Sequence, residues 1–281
     1  MENKTHIEKN TVQETLVIPL YGRKLCTKQF PNLFRDEKAV ELIDRIDYDF
    51  SPLEKKSKSF AHRFGALEVA MRESDLMIEA KDYLQTHPEA TLVNLGCGLD
   101  QTAENCDNGK CTIVNIDLPD VIAVRQKLLP QTARVKNVAA DLNNLSWFDH
   151  IPAENGVCFL AAGVFYYFKT EDVRKLLCAM GKRFPGGRLV FDAANKRAVK
   201  IMLKTWVKDA GITSISDYFS VEDIQTDIVP WLQASVVTAR GYMLGYNDLR
   251  DPSVPGAFRL LAKIADRLMK MQIIKIEFTE V

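Results

Sequence analysis

Two glycines follow a short apolar segment near the middle of the chain, and their spacing suits the binding of an adenosyl group. The segment Val93–Asp100 reads Val-Asn-Leu-Gly-Cys-Gly-Leu-Asp. Glycine has no Cβ, so a turn built on Gly96 and Gly98 lets a ligand approach the backbone closely and permits positive φ. We expect a buried strand, this turn and then a helix. A tight connection that binds nothing is the alternative for such a turn taken alone.

An acidic residue, Asp117, closes the next apolar segment, Thr112–Ile116. In a βαβ unit this second strand lies beside the first, which puts the Asp117 carboxylate next to the glycine turn. A carboxylate there can accept hydrogen bonds from both hydroxyls of a ribose. The competing role is a helix N-cap, because Asp117-Leu118-Pro119 before an apolar segment is good capping chemistry. The glycine turn and Asp117 together favour the ribose role.

The residue type at position 101 indicates which of two kinds of adenosyl ligand the turn would bind. A dinucleotide-binding turn would place a third glycine there, where it allows close helix packing beneath a pyrophosphate. The chain has Gln101 instead. S-adenosylmethionine has no pyrophosphate, so the sequence favours this cofactor over NAD and makes a nicotinamide-dependent oxidoreductase the weaker hypothesis.

A third acid, Asp141, follows the expected strand Val135–Ala139 in Ala139-Ala140-Asp141. The carboxylate of Asp141 would accept the exocyclic amine of adenine, with Leu142 against the face of the ring. The following Asn143 and Asn144 favour the alternative that Asp141 only stabilises a turn. The glycine turn, Asp117 and Asp141 come at the ends of three successive strands, and this order supports the binding role.

Small residues and then aromatic ones follow the fourth apolar segment, in Ala161-Ala162-Gly163-Val164-Phe165-Tyr166-Tyr167-Phe168. The small residues leave room for a ligand and the aromatic rings can form the wall of a pocket. Phe165 and Phe168 are explained equally well by packing under the sheet. Tyr166 and Tyr167 carry hydroxyls that need partners, so they are the candidates for orienting a substrate. No general base is assigned, and none of the four histidines is a convincing candidate.

Short apolar runs alternate with amphipathic segments from residue 91 onward, which predicts the elements that position these residues. The expected strands are 91–95, 112–116, 135–139, 157–161, 188–193, a weaker one at 236–240, and 272–278. The expected helices between them are 118–128, 171–183, 197–208 and 257–269. This pattern predicts an α/β fold, Rossmann-like and doubly wound, with a mostly parallel seven-stranded sheet. The last strand follows a helix so closely that it is free to run antiparallel.

The amino-terminal part of the chain has a different pattern. Residues 1–85 are mostly helical in character, and we expect them to form a helical cap or lid on an α/β domain of residues 86–281. An insertion around residues 212–233 would complete the lid. In it, Tyr218, Phe219 and Trp231 would supply apolar area facing the substrate.

Composition excludes several classes of partner. With 37 basic and 37 acidic residues, the chain has no net charge, which argues against a nucleic-acid partner. No segment reaches the 18 or so apolar residues that a membrane span needs, so we expect a cytoplasmic protein without a membrane partner. The six cysteines are expected to be reduced thiols. Cys106 and Cys111 lack a second pair at zinc spacing, so no metal is predicted.

The ordered set of motifs resembles the leucine carboxyl methyltransferases and the tetracenomycin-type polyketide O-methyltransferases, which are class I S-adenosylmethionine-dependent methyltransferases. The matching stretches are Val93–Asp100, Asp117–Ile122, Asp141-Leu142 and Gly163–Tyr167. The resemblance implies S-adenosylmethionine as the cofactor and S-adenosylhomocysteine as its product. It also implies that a carboxylate or hydroxyl of a small molecule or peptide is methylated.

The resemblance further implies a set of cofactor contacts, which includes Arg72 as the partner of the methionine carboxylate. A basic residue near the amino end, Arg23 or Lys24, is a further candidate. The full expected set is Arg72, Gly96, Cys97, Gly98, Asp117, Leu118, Asp141, Leu142 and Ala162. Two positions depart from the family pattern: Ala162, where members often carry a glutamate near the cofactor's amino group, and Gln101-Thr102 in place of Thr-Arg.

Methyl transfer from a sulfonium is an in-line displacement, so alignment of the reactants and exclusion of water are the main requirements. A carboxylate acceptor is already ionised at neutral pH, whereas a phenol needs a base. We therefore expect catalysis by proximity. A protein that binds S-adenosylmethionine without transferring its methyl group is the alternative from another functional class.

Overall fold

The amino-terminal part of the chain is a group of helices with one short parallel strand pair. The computed structural model describes residues 4–9, 11–202, 218–232 and 235–279. The first elements are β1 (Thr5–His6), α1 (Val17–Gln29), α2 (Glu37–Asp44), β2 (Ile46–Asp47), α3 (Ser51–Lys56) and α4 (Phe60–Thr86). The side chain of Asp36 caps α2 by accepting a hydrogen bond from Ala39 N at 2.8 Å. Helix α4 packs against α1 on one side and against the central sheet on the other.

The central sheet has seven strands, as the sequence predicts. They are β3 (Thr91–Leu95), β4 (Thr112–Asp117), β5 (Val135–Ala139), β6 (Val157–Ala161), β7 (Arg188–Ala193), β8 (Ser235–Gly241) and β9 (Gln272–Phe278). Their order is β5-β4-β3-β6-β7-β9-β8. The first five are parallel, and β9 runs antiparallel to both β7 and β8. The predicted Rossmann-like, mostly parallel α/β fold is confirmed.

The helices of the sheet domain lie close to their predicted bounds. They are α5 (Pro119–Leu128), α6 (Thr170–Arg183), α7 (Lys196–Met202), α8 (Ile224–Asp227) and α9 (Gly256–Leu268). The predicted helix 197–208 matches α7 as far as residue 202, and its remainder lies outside the described residues. Large clusters of buried side chains cover both faces of the sheet, and the strands β3 and β6 are buried along their whole length. The division into a cap and a domain at residue 85 remains a prediction, since α4 belongs to the packing of both.

The connection from β3 to β4 differs from the expectation. The helix predicted after the glycine turn is wrong: a short 3-10 turn, Glu104–Cys106, is the only helical element there. Arg125 on α5 donates hydrogen bonds to the carbonyls of Gly98 at 3.0 Å and Asp100 at 2.7 Å. The Arg125 guanidinium thus stabilises the loop conformation that follows the glycine turn.

All six cysteines are free thiols, as expected. No helix among the described residues is long and apolar enough to cross a membrane.

Candidate active site

A cavity of about 930 Å³ opens at the carboxyl edge of the parallel strands. It lies outside the ends of β3 and β6, which is the point from which the strand order runs outward in both directions. Ligands of open α/β sheets bind at such switch points. The lining includes every residue of the expected cofactor set and both tyrosines: Arg72, Gly96, Cys97, Gly98, Asp117, Leu118, Asp141, Leu142, Ala162, Tyr166 and Tyr167.

The glycine turn after β3 presents its backbone to the cavity. Gly98 has φ of +48°, in the left-handed region that favours glycine. A Cβ added there would meet one described side chain, the tip of Leu16 at 3.2 Å, so the space beside Gly98 belongs mainly to the cavity. Cys97 between the glycines is buried, and its N–H donates to Ile116 O at 3.1 Å. Burial raises the pKa of the Cys97 thiol well above its usual value.

Asp117 is held by two backbone N–H groups. Its Oδ2 accepts from Gly98 N at 2.8 Å and its Oδ1 from Leu118 N at 2.7 Å. The N-cap of α5 is Leu118, and no side chain caps that helix, so Asp117 does not have the capping role considered above. Burial raises the pKa of Asp117, while the hydrogen bonds from Gly98 and Leu118 oppose this shift.

The two residues after β5 have different environments. Asp141 is exposed, and its Oδ1 accepts hydrogen bonds from Asn143 N at 2.9 Å and Asn143 Nδ2 at 3.1 Å. It is thus a turn aspartate that also lines the cavity. Leu142 is buried in the core below the cavity wall, whereas Leu118 is exposed at its rim.

Arg72, Gly163 and Asp192 form a connected group on the other side of the glycine turn. Arg72 Nη1 lies 3.3 Å from Asp192 Oδ2, and Asp192 Oδ1 accepts from Gly163 N at 2.6 Å. A Cβ at Gly163, whose φ is +71°, would stand 2.5 Å from Arg72 Nη1. The buried Nε of Arg72 has no hydrogen-bond partner among the described residues. Asp192 is not among the residues predicted from the sequence, although an acid near the end of a largely apolar strand was an available signal.

The two candidate tyrosines are placed differently in the cavity wall. Tyr166 is 2% exposed and lies near the carboxylate of Asp192. Burial, together with the negative charge of Asp192, raises the pKa of Tyr166 well above its usual value. Tyr167 is 48% exposed at the mouth of the cavity. Phe165 packs against Phe191 in the core, with ring centroids 5.1 Å apart.

Of the two basic candidates near the amino end, Arg23 lines the cavity and Lys24 does not. The Arg23 guanidinium is buried, with Nε 2.8 Å from Asp36 Oδ2 and 3.2 Å from Glu73 Oε2. Its Nη2 donates to Leu99 O at 2.9 Å, so Arg23 supports the end of the glycine loop. Lys24 lies over the ring of Tyr21 instead, 5.5 Å from its centroid.

The far side of the cavity is largely apolar and was not predicted. Its lining comes from α7, from α9 and from the residues before β9: Ala198, Ile201, Met202, Leu261, Ile264, Met269 and Met271. The expected lid residues do not contribute, since no described residue of the segment 218–232 lines the cavity. Phe219 is fully buried and packs against Phe165 and Trp231 in the core. Residues 212–217 and 233 of the predicted lid lie outside the described residues.

Comparison with known proteins agrees with this geometry. The model of the family described as leucine carboxyl methyltransferase matches residues 20–181. The chain belongs to the leucine carboxyl methyltransferase family. The predicted family and its cofactor, S-adenosylmethionine, are thereby confirmed, and with them the class of S-adenosylmethionine-dependent methyltransferases.

Two individual proteins illustrate the similarity. The tetracenomycin polyketide synthesis O-methyltransferase TcmP of Streptomyces glaucescens is 31% identical over 183 residues, which are 65% of this chain and 66% of that protein. The chain thus aligns with slightly less than two thirds of this relative's length. The crystal structure of a candidate methyltransferase from Thermobifida fusca YX has a TM-score of 0.55 at 14% identity and covers 75% of this chain and 82% of that one. This second similarity concerns the fold alone.

Proposed function

We propose that this chain transfers the methyl group of S-adenosylmethionine to an oxygen atom, a carboxylate or a hydroxyl, of a small-molecule or peptide acceptor. The observation that carries the proposal is the contact between the glycine turn and Asp117 at the rim of the cavity, with Gly98 N 2.8 Å from Asp117 Oδ2. It joins the two strand ends at the place where open α/β sheets bind adenosyl ligands.

The residues of the cavity fit the cofactor. Asp117 would accept hydrogen bonds from the ribose hydroxyls, and Asp141 and Leu142 would contact the adenine. The guanidinium of Arg72 has a buried, unpartnered Nε, which supports a role in binding the methionine carboxylate. Ala162 lines the cavity without supplying an acid for the ammonium group.

The protein itself would contribute to the reaction by aligning the cofactor and the acceptor in a site from which water is excluded. The bound cofactor supplies a methyl group on a positively charged sulfur, which is electrophilic enough for direct displacement. The apolar wall of the cavity would exclude water from the reacting atoms, and Tyr166 and Tyr167, which line the cavity, would orient the acceptor. The other functions weighed from the sequence, cofactor binding without transfer and nicotinamide-dependent oxidoreduction, are not favoured by the comparisons.

Differential stabilisation tests the proposal. S-adenosylhomocysteine at 1 mM should raise the melting temperature, because a ligand that binds only the folded state stabilises it, and 1 mM NAD should leave it unchanged. Incubation with labelled S-adenosylmethionine and a panel of aromatic acids and phenols should then yield a labelled product. Stabilisation by NAD alone would contradict the proposal.

A further inference from the structure

Asp192 lies behind the cavity wall, near the end of β7, and does not line the cavity itself. Its side chain is only 1% exposed. Phe191, the residue before it, pairs with Ala161 at the end of β6, so Asp192 lies beside the loop that follows β6. A carboxylate at such a buried position needs partners, because burying an unpaired charge is costly. The partners of Asp192 are two residues that do line the cavity.

One oxygen of Asp192 fixes the loop after β6. Asp192 Oδ1 accepts a hydrogen bond from Gly163 N at 2.6 Å. A Cβ added to Gly163 would lie 2.5 Å from Nη1 and 3.0 Å from Nη2 of Arg72. The backbone of Gly163 therefore packs directly against the guanidinium of Arg72. By fixing Gly163, Asp192 also limits the positions that this guanidinium can take.

The other oxygen of Asp192 holds one nitrogen of the Arg72 guanidinium. Asp192 Oδ2 lies 3.3 Å from Nη1 of Arg72. Within the described part of the chain this is the one hydrogen bond of the Arg72 side chain, and the buried Nε has no partner there. The N–H groups of Nε and Nη2 point to the same side of a guanidinium and form a fork that matches the two oxygens of a carboxylate. Asp192 thus occupies Nη1 and leaves this fork to a ligand.

Building on the function proposed above, we infer that Asp192 is a positioning residue for the cofactor, which holds Arg72 by Nη1 so that Nε and Nη2 bind the carboxylate of the methionine portion. Asp192 acts through Arg72 and Gly163 and does not touch the cofactor itself. An arginine side chain without this contact would sample several rotamers. Fixing the side chain before the cofactor binds reduces the conformational entropy that is lost on binding.

A purely structural role is the alternative for Asp192. In that role it would only neutralise the charge of Arg72, as Glu277 helps to do for Arg188 at the other end of β7, where Arg188 Nη2 lies 2.7 Å from Glu277 Oε1. Loss of a structural pair would destabilise the fold and weaken all ligands of the cavity alike. Loss of a positioning contact would weaken only those ligands that have the carboxylate. The two roles therefore differ in which ligands they affect.

Two ligands that differ at this end of the cofactor separate the two roles. S-adenosylhomocysteine has the carboxylate, whereas methylthioadenosine has the same nucleoside and sulfur but ends in a methyl group. Asp192→Asn keeps an oxygen for Gly163 N and removes the charge that holds Nη1 of Arg72. In calorimetry, with methylthioadenosine measured by competition, this variant should bind S-adenosylhomocysteine about tenfold or more weakly and methylthioadenosine less than about twofold more weakly. The control Glu277→Gln, outside the cavity, should change neither affinity.

A double-mutant cycle supplies a second readout that needs only S-adenosylhomocysteine. Arg72→Gln should weaken its binding at least as much as Asp192→Asn does. Adding Asp192→Asn to Arg72→Gln should cause no further loss, because Asp192 acts through Arg72. Asp192→Glu guards against a folding defect, since it keeps the buried ion pair while its extra methylene moves the carboxylate. It should fold and still lose more affinity for S-adenosylhomocysteine than for methylthioadenosine.

Three results would overturn the inference: unchanged binding of S-adenosylhomocysteine or equal weakening of both ligands in Asp192→Asn, additive losses in the double variant, or a wild type that binds methylthioadenosine as tightly as S-adenosylhomocysteine. Failure of the wild type to bind S-adenosylhomocysteine at all would instead contradict the proposed function itself. The two failures are therefore distinguishable.

Discussion

The backbone N–H of Gly98 donates a hydrogen bond of 2.8 Å to Oδ2 of Asp117. This contact joins the turn after β3 to the end of β4, so the two parts of the candidate cofactor site are positioned relative to each other by the protein itself. A site that is organised in this way loses less conformational entropy when a ligand binds.

Arg125 is expected to hold the glycine loop in place from behind. It is fully buried, binds the carbonyls of Gly98 and Asp100, and its Nη2 lies 2.5 Å from Glu104 Oε1. Arg125→Met should lower the free energy of unfolding by about 3 kcal/mol, because it leaves Glu104 without its ion-pair partner and with only the hydrogen bond from Asn115. It should also weaken binding of S-adenosylhomocysteine. Denaturant unfolding and calorimetry measure both effects. Arg134→Met, which removes an exposed pair with Asp107, is the control and should affect neither quantity appreciably.

We expect any side chain at position 163 to be unfavourable for two separate reasons. An alanine there would be strained at φ of +71° by about 1–2 kcal/mol, and its Cβ would also displace the Arg72 guanidinium. Gly109→Ala is the matched control, since Gly109 has φ of +81° and no atom within 4 Å of an added Cβ. Both variants should be destabilised in thermal unfolding. Only Gly163→Ala should lose affinity for S-adenosylhomocysteine, and equal affinity in the two variants would argue against a role for Arg72.

Asp75 is expected to make stability depend on pH. It is buried beside Asp266 and hydrogen-bonded to Asn247, and burial followed by the charge of Asp266 raises its pKa from 3.8 to about 8. Between about pH 4 and 8 the folded chain keeps a proton that the unfolded chain releases, so stability falls as the pH rises through this window.

The asparagine side chain in Asp75→Asn does not titrate, so the variant should not undergo this loss of stability. Denaturant unfolding should show the variant close to wild type at pH 5 and more stable than wild type at pH 8. Both proteins should still lose some stability as the pH rises, because other buried acids contribute. One of them is Glu73, whose pKa is raised to about 8 by burial. A stability difference that is the same at both pH values would be inconsistent with the raised pKa of Asp75.

The strands and the ends that carry the cofactor candidates could be predicted from the sequence because the signals are local. Each buried strand is a short apolar run. Asp117 stands out because it directly follows such a run, and Asp141 because it follows the shorter Val138–Ala140 stretch at the end of β5. The antiparallel course of β9 was also accessible, since only Met269, Lys270 and Met271 separate it from the end of α9.

The features that were missed depend on distant parts of the chain. Glu68, which lines the cavity, is one of several acids on a helix of 27 residues, and only the packing of α4 against the sheet brings it to the cavity wall. Asp192 lies within an apolar run and acquires its role from Arg72, 120 residues earlier. Phe219 was expected at the lid because of its apolar character, but the gap beside Phe165 and Phe191 buries it in the core.

The most direct test of the account is the affinity for S-adenosylhomocysteine of the wild type, Asp117→Ala and the control Asp120→Ala, measured by calorimetry. Asp120 is an exposed acid in the first turn of α5 and does not line the cavity. We predict that the wild type and Asp120→Ala bind with similar affinity, and that Asp117→Ala binds roughly 100-fold more weakly, because hydrogen bonds to a charged group contribute about 1.5–3 kcal/mol. Equal binding by all three proteins, or no binding by the wild type, would contradict the assignment of this cavity as the cofactor site.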